Sequence, residues 1–230
     1  MDTSPIPDRL PLFPLPEVVL FPGATLPLHV FEPRYRAMVA DVLERPEGER
    51  LVAPVLLLPG WEEEYEGTPP VNLLATAGDI VHSKKLDDGR YLMTLRGRTR
   101  VRLTGAEELA DGGYRVARCI PLPESADGLA PGAVVEDLVR LLADLSAWTG
   151  SVPLSVSRED LESRLDVRAL VVNVVAFHLN VPPAQRQELL AEDDLGRRLE
   201  RLARLVREGI GSRRALEAWR RHRPDDPGIN

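Results

Sequence analysis

Apolar residues at Tyr35, Met38, Val39, Val42 and Leu43 recur every three to four positions, whereas between Thr99 and Leu103 they alternate with polar ones. The first spacing predicts a helix, opened by Pro33, whose missing N–H costs nothing at a first helical position. The second predicts a half-buried strand. Other extended pieces fall around these two. Val18–Phe21 reads as a strand stopped by Pro22-Gly23, and Leu26–Val30 as a second short piece. Leu51–Leu58 is an apolar run with Pro54 inside, hence an edge or bulged strand. Val71–Ala77 and Asp79–His82 look like strand pieces broken at Gly78. Asp88-Gly89 marks a hairpin turn between 81–85 and 91–95, and Asp111-Gly112-Gly113 marks a turn before Tyr114–Ile120.

Beyond Pro123 the period becomes helical. Val134–Trp148 carries one apolar stripe, and Asp166 is placed to cap Val167–Leu179, which is apolar nearly all round. Pro182-Pro183 opens a short helix through Leu190. A last helix begins after Asp193 or Asp194, with the stripe Leu195, Leu199, Leu202, Leu205 and Val206, and ends at Gly209 and Gly211. One more short helix is expected at 215–221, between a loose first eight residues and a frayed Pro/Gly tail. Strands first and helices second give an α+β fold.

Composition narrows the class. The chain has 230 residues, 43% of them apolar and 28% charged, the mixture of a globular protein and not of a disordered one. Its longest apolar stretch, Ala169–Leu179, is broken by Asn173 and His178 and is far short of the roughly 20 residues of a membrane span. No basic start precedes an apolar run at the N-terminus, so a cytoplasmic protein is expected. The single Cys119 excludes an internal disulfide and a Cys-rich zinc site. The net charge of −7 argues against a surface built wholly for nucleic acid. That charge is uneven: residues 186–230 hold 11 arginines and 9 acids, against 18 basic and 27 acidic residues before them. Arg197, Arg198, Arg201, Arg204 and Arg207 read as a solvated helix face.

Two blocks then carry a resemblance. Leu12-Phe13-Pro14-Leu15-Pro16 through Phe31-Glu32-Pro33-Arg34-Tyr35, followed far downstream by Gln187-Glu188-Leu189-Leu190 through Arg198-Leu199-Glu200-Arg201-Leu202, resemble the N-terminal substrate-binding domain of Lon proteases. Gly97 and Arg100 on the middle strand fit the same pattern, and the style is that of bacterial proteins made of this domain alone. The resemblance covers about residues 9–209. It implies a PUA-like β-barrel over 9–123, a helical bundle over 124–212 and a partly disordered extension over 213–230. It implies binding of unfolded segments, or docking of a protease or chaperone partner, in a quality-control role without catalysis.

The chain lacks the chemistry of the full protease that this domain resembles. There is no G-x-x-x-x-G-K-[ST] loop for ATP phosphates. Lysines occur only at 84 and 85, and no serine stands in a suitable relation to them for a Ser–Lys pair. The four histidines have no metal-binding spacing, so neither metal nor cofactor is expected. His178 reads as a satisfied buried or boundary residue. For peptide or partner binding the candidates are His29, Tyr35, Trp61 and Tyr65, the last two in an acidic loop, while Phe21 and Phe31 read as core. The alternative is a nucleic-acid module. Arg96, Arg98, Arg100 and Arg102 lie two apart and would share one strand face, with Arg96, Arg98 and Arg102 as anion contacts and Arg100 structural.

Overall fold

The first strand, β1 (Arg9–Leu15), runs through two prolines, Pro11 and Pro14. The computed structural model, which describes residues 5–64, 67–150 and 154–222, shows how. Leu15 turns its carbonyl to β3 (Leu51–Leu56), where it accepts from the Leu57 N–H at 3.0 Å. Strand alternation therefore sends Pro14 the other way, past the end of β6 (Arg115–Leu122), which pairs only with Arg9–Pro11. The missing N–H faces no ladder partner and costs little. Pro27 of β2 (Thr25–Val30) escapes in the same manner. Ala24 turns its carbonyl to Gly97, so alternation puts Pro27 on the free side of an edge strand. Val18–Phe21, expected as a strand, is an irregular connection, and the strand lies earlier at Arg9–Leu15.

The sheet order is β2-β5-β4-β3-β1-β6, with β4 (Leu74–Lys85) and β5 (Tyr91–Leu109), and a further β5–β6 pairing closes it on itself. The β1–β3 pair is parallel and the remaining pairs are antiparallel. Helix α1 (Pro33–Leu43) follows β2. Gly78 does not break its strand as expected, and Gly97 lies within β5 opposite it. They are paired with each other, because a Cβ on Gly97 would stand 2.1 Å from the Phe21 carbonyl oxygen and only glycine lets that loop cross the strand.

At this point Arg98 is the extra residue of a β-bulge, since Ala77 pairs with Thr99 and Gly78 with Gly97. The bulge swaps the faces of β5. Tyr91, Met93 and Leu95 join a large core shared with the helices, whereas Val101 and Leu103 join a second core inside the barrel. Odd-numbered residues thus point to opposite sides before and after Arg98, and so do even-numbered ones.

Helices α2 (Ala133–Thr149), α3 (Arg158–Ser163), α4 (Leu165–His178), α5 (Pro183–Ala191) and α6 (Leu195–His222) pack against the outside of the sheet. Helix α4 starts one residue before Asp166, which consequently sits in its first turn instead of capping it. Helix α6 runs straight through Gly209 and Gly211 and absorbs the short helix expected after them. Gly209 is not a stop but a contact: a Cβ there would lie 2.4 Å from the Trp148 ring, so the glycine lets α2 and α6 approach. Among the described residues no helix is long and apolar enough to cross a membrane.

Candidate functional site

The arginine row of β5 is dispersed by the bulge. Arg96 is level with Asp79 and exposed, while Arg100 is level with Thr76 on the opposite face. Arg98 is nearly buried in an ion pair with Asp79, its Nε donating to Oδ2 at 3.0 Å, and it also donates to the Gly48 carbonyl at 3.1 Å. Arg100 has no exposed surface. It donates to the carbonyls of Leu190 at 2.8 Å and Pro123 at 3.0 Å and to Asp193 Oδ1 at 2.8 Å. Only Arg102 and Arg96 keep open guanidinium groups, on opposite faces. The four side chains do not form the shared anion-binding face that their spacing predicts.

Arg198 leaves the solvated helix face predicted for it and is fully buried. It pairs with Glu124, donates to Asn173 Oδ1, and donates to the Glu192 carbonyl at 2.6 Å. Asn173 in turn donates to Glu124 Oε2 at 2.9 Å, and Arg100 Nε lies 3.6 Å from Glu124 Oε1. Burial pulls the Arg198 guanidinium below its ordinary pKa, with Glu124 pulling the other way. The cluster is a seam joining β5 to the bundle. Its charges are paired within the seam, although the Nε atoms of Arg100 and Arg198 are buried without a hydrogen bond, so the cluster reads as a structural tie.

On another side of the barrel, β1 and β2 flank a recess of about 510 Å3 with no strand between them. Three of the four aromatic or histidine candidates meet there: His29, Tyr35 and Trp61. Tyr35 is buried and forms the floor with Phe13, their ring centroids 4.6 Å apart. Arg34 covers the Tyr35 ring at 4.8 Å and bonds Glu32. His29 is exposed on β2, with its ring 6.1 Å from that of Phe31. Phe31 is not core: it is 60% exposed, because it follows the last residue of the edge strand and turns to the rim. Tyr65 lies outside the described residues.

Trp61 opens a short 3-10 turn, Trp61–Glu64, after Gly60, whose φ of 89° is the left-handed conformation a reversal needs. Half-buried against the inner barrel core, it also lines a second cleft of about 730 Å3. That cleft lies between the barrel residues Leu56–Leu58, Leu73, Leu74 and Arg102 and the start of α5, Pro182–Ala184. Gln187 ties the two walls by donating to the Leu74 carbonyl at 2.8 Å. Pro16 and Trp61 border both spaces, so the recess and the cleft are neighbours that meet at these two side chains. Leu73, 60% exposed, stands in the cleft. The α5 wall was invisible in the sequence because it comes from residues more than 100 positions away.

Among the described residues no cluster of three His, Cys, Asp or Glu could hold a metal. Cys119 is buried, and burial pushes its thiol up to about 11, so it is a poor nucleophile. His178 is exposed at the end of α4, where its Nδ1 meets the Val174 carbonyl at 2.9 Å.

Known proteins share this arrangement. A Lon N-terminal domain protein from Xanthomonas campestris has a solved structure that is 30% identical, with a TM-score of 0.60 over 84% of this chain and 96% of that one. The N-terminal domain of Lon protease from the Mycobacterium avium complex shares the fold at 17% identity, with a TM-score of 0.61, covering 86% of this chain and 97% of that one. Lon protease 2 of Syntrophobacter fumaroxidans is 28% identical over 80% of this chain but only 22% of its own length, and Lon protease 2 of Myxococcus xanthus is 24% identical over 87% of this chain and 24% of its own. The chain thus spans less than a quarter of these curated relatives. Residues 9–208, nearly the whole of the described fold, match the ATP-dependent protease La (LON) substrate-binding domain, and the chain belongs to that family.

Proposed function

We propose that the chain is a non-catalytic protein-binding module of the cytoplasm that takes up extended apolar segments, such as those of unfolded proteins, for a protease or chaperone partner. The observation that carries this reading is the meeting of two mostly apolar spaces at Trp61, which we read as one groove. A mostly apolar groove, formed partly between sheet and helix, is the usual setting of a ligand site. A rigid aromatic at its centre is the usual anchor of one. Phe31 and Leu73, each 60% exposed, supply further apolar surface along it. The strand region 9–123 is read as a PUA-like barrel and 124–212 as a bundle subdomain that contributes the α5 wall. A nucleic-acid role for Arg96, Arg98 and Arg102 is not favoured, because Arg98 is engaged with Asp79 and the other two face apart.

The test is a titration of a labelled, permanently unfolded model protein into the chain and its Trp61→Ala and Leu73→Ala variants. Each substitution should weaken binding, Trp61→Ala by about tenfold, which is about 1.4 kcal/mol. Equal affinity of all three proteins would remove the groove from the site.

A further inference from the structure

Building on this groove reading, we propose that the recess between β1 and β2 accepts an arginine or lysine side chain carried by the bound segment. Three features of the recess point to a cation. Its walls are aromatic, with Phe13, Phe31, Tyr35 and Trp61 around one space. A cation above such rings is attracted by their negative faces, and a long aliphatic stem lies well against them.

Its charged lining among the described residues is Glu32 and Glu62, with no lysine or arginine. Arg34 neutralises Glu32 from outside the recess, which leaves Glu62, exposed and followed in the chain by the exposed Glu63. Phe13 and Tyr35 form the buried floor, with Arg34 over the Tyr35 ring, so the anionic side of the recess is the rim where Phe31 is exposed and Glu62 follows Trp61.

The third feature is the edge of β1. Because Leu15 turns to β3, alternation sends the backbone of Pro14 away from β3, where it carries a carbonyl and no N–H, and Pro16 just past the strand also lacks an N–H. An incoming main chain needs donors and acceptors in alternation to add as a strand, and this edge supplies acceptors only. Donors remain only across the recess, on the free side of β2 at Thr25 and His29, on either side of Pro27. A guanidinium or an ammonium is all donor and matches the β1 edge. A chain N-terminus would bring the same charge without a stem to fill about 510 Å3, so the assignment is to a side chain.

The experiment uses ten-residue apolar peptides, acetylated and amidated, that differ only in one central residue: Arg, Lys, Gln or Glu. They are titrated by fluorescence anisotropy against the full chain and its Glu62→Gln and Trp61→Ala variants. Arg and Lys peptides should bind about tenfold more tightly than Gln, with Glu weakest. Glu62→Gln, a change at an exposed turn, should bring Arg to within about threefold of Gln and leave the Gln peptide unchanged. If Arg and Gln bind alike while Trp61→Ala weakens both, the cation assignment is wrong and the groove reading stands. If a Gln peptide with a free N-terminus gains as much as the Arg peptide, the side-chain assignment is wrong. If no peptide binds, both readings fall.

Discussion

Where β5 meets the bundle, two arginines are fully buried and matched by Glu124, Asn173, Asp193 and backbone carbonyls. Where β1 and β2 flank the recess, Phe31 is exposed, Glu62 has no ion pair among the described residues, and Pro14 leaves the strand edge without its donor. Both regions are lined by charged and apolar residues, and composition alone does not separate them. Satisfaction does. A buried charge with its partners in place holds the molecule together. Apolar surface that no part of the chain covers is surface kept for something else.

The largest effect should come from breaking the matched side. Arg100→Ala leaves Glu124 and several carbonyls facing each other in a buried seam, and a loss of about 3–5 kcal/mol is expected in chemical unfolding. Gly97→Ala should cost about 3 kcal/mol in the same measurement, because the new methyl meets backbone and not a yielding side chain. Trp61→Ala should cost about 1 kcal/mol of stability while reducing affinity for an unfolded segment about tenfold. Arg102→Ala, two residues from Arg100, should stay within about 0.5 kcal/mol of the parent, since Arg102 is exposed and has no ion pair among the described residues. If Arg102→Ala were as damaging as Arg100→Ala, the contrast between the two sides would collapse.

The smallest effect is a pH dependence. Tyr114 donates to Asp41 at 2.7 Å, and burial, assisted by that carboxylate, pushes its pKa from 10.0 up to about 12. The folded state favours the neutral phenol, so this contribution is whole below about pH 10 and fades as pH rises towards 12. Thermal melts of Tyr114→Phe should lose less over that window than melts of the parent protein.

Local chemistry was legible wherever it was decided locally. Pro33 at the start of α1, the Asp88-Gly89 turn and the stripe of α2 all stand as their residues predict. What the sequence concealed was set by neighbours distant along the chain. The role of the prolines in β1 and β2 was hidden, because the side on which a strand is paired cannot be seen from the strand itself. Gly78 looked like a break, because neither its pairing with Gly97 nor the Phe21 loop that crosses there is visible along the strand. Arg98 looked like one rung of a ladder, since a bulge is defined by the partner's register. For the site, His29, Tyr35 and Trp61 were found by their residue types, whereas Phe31 and the α5 wall depended on how the sheet closes and where the bundle lies.

The Arg100 clamp also sets an order of events. Its partners, Pro123, Leu190 and Asp193, lie 23, 90 and 93 residues further along the chain. At about 5–20 residues per second, on the order of ten seconds separate the synthesis of β5 from that of its last partner. During that interval a guanidinium destined for full burial is left in water on an incomplete barrel.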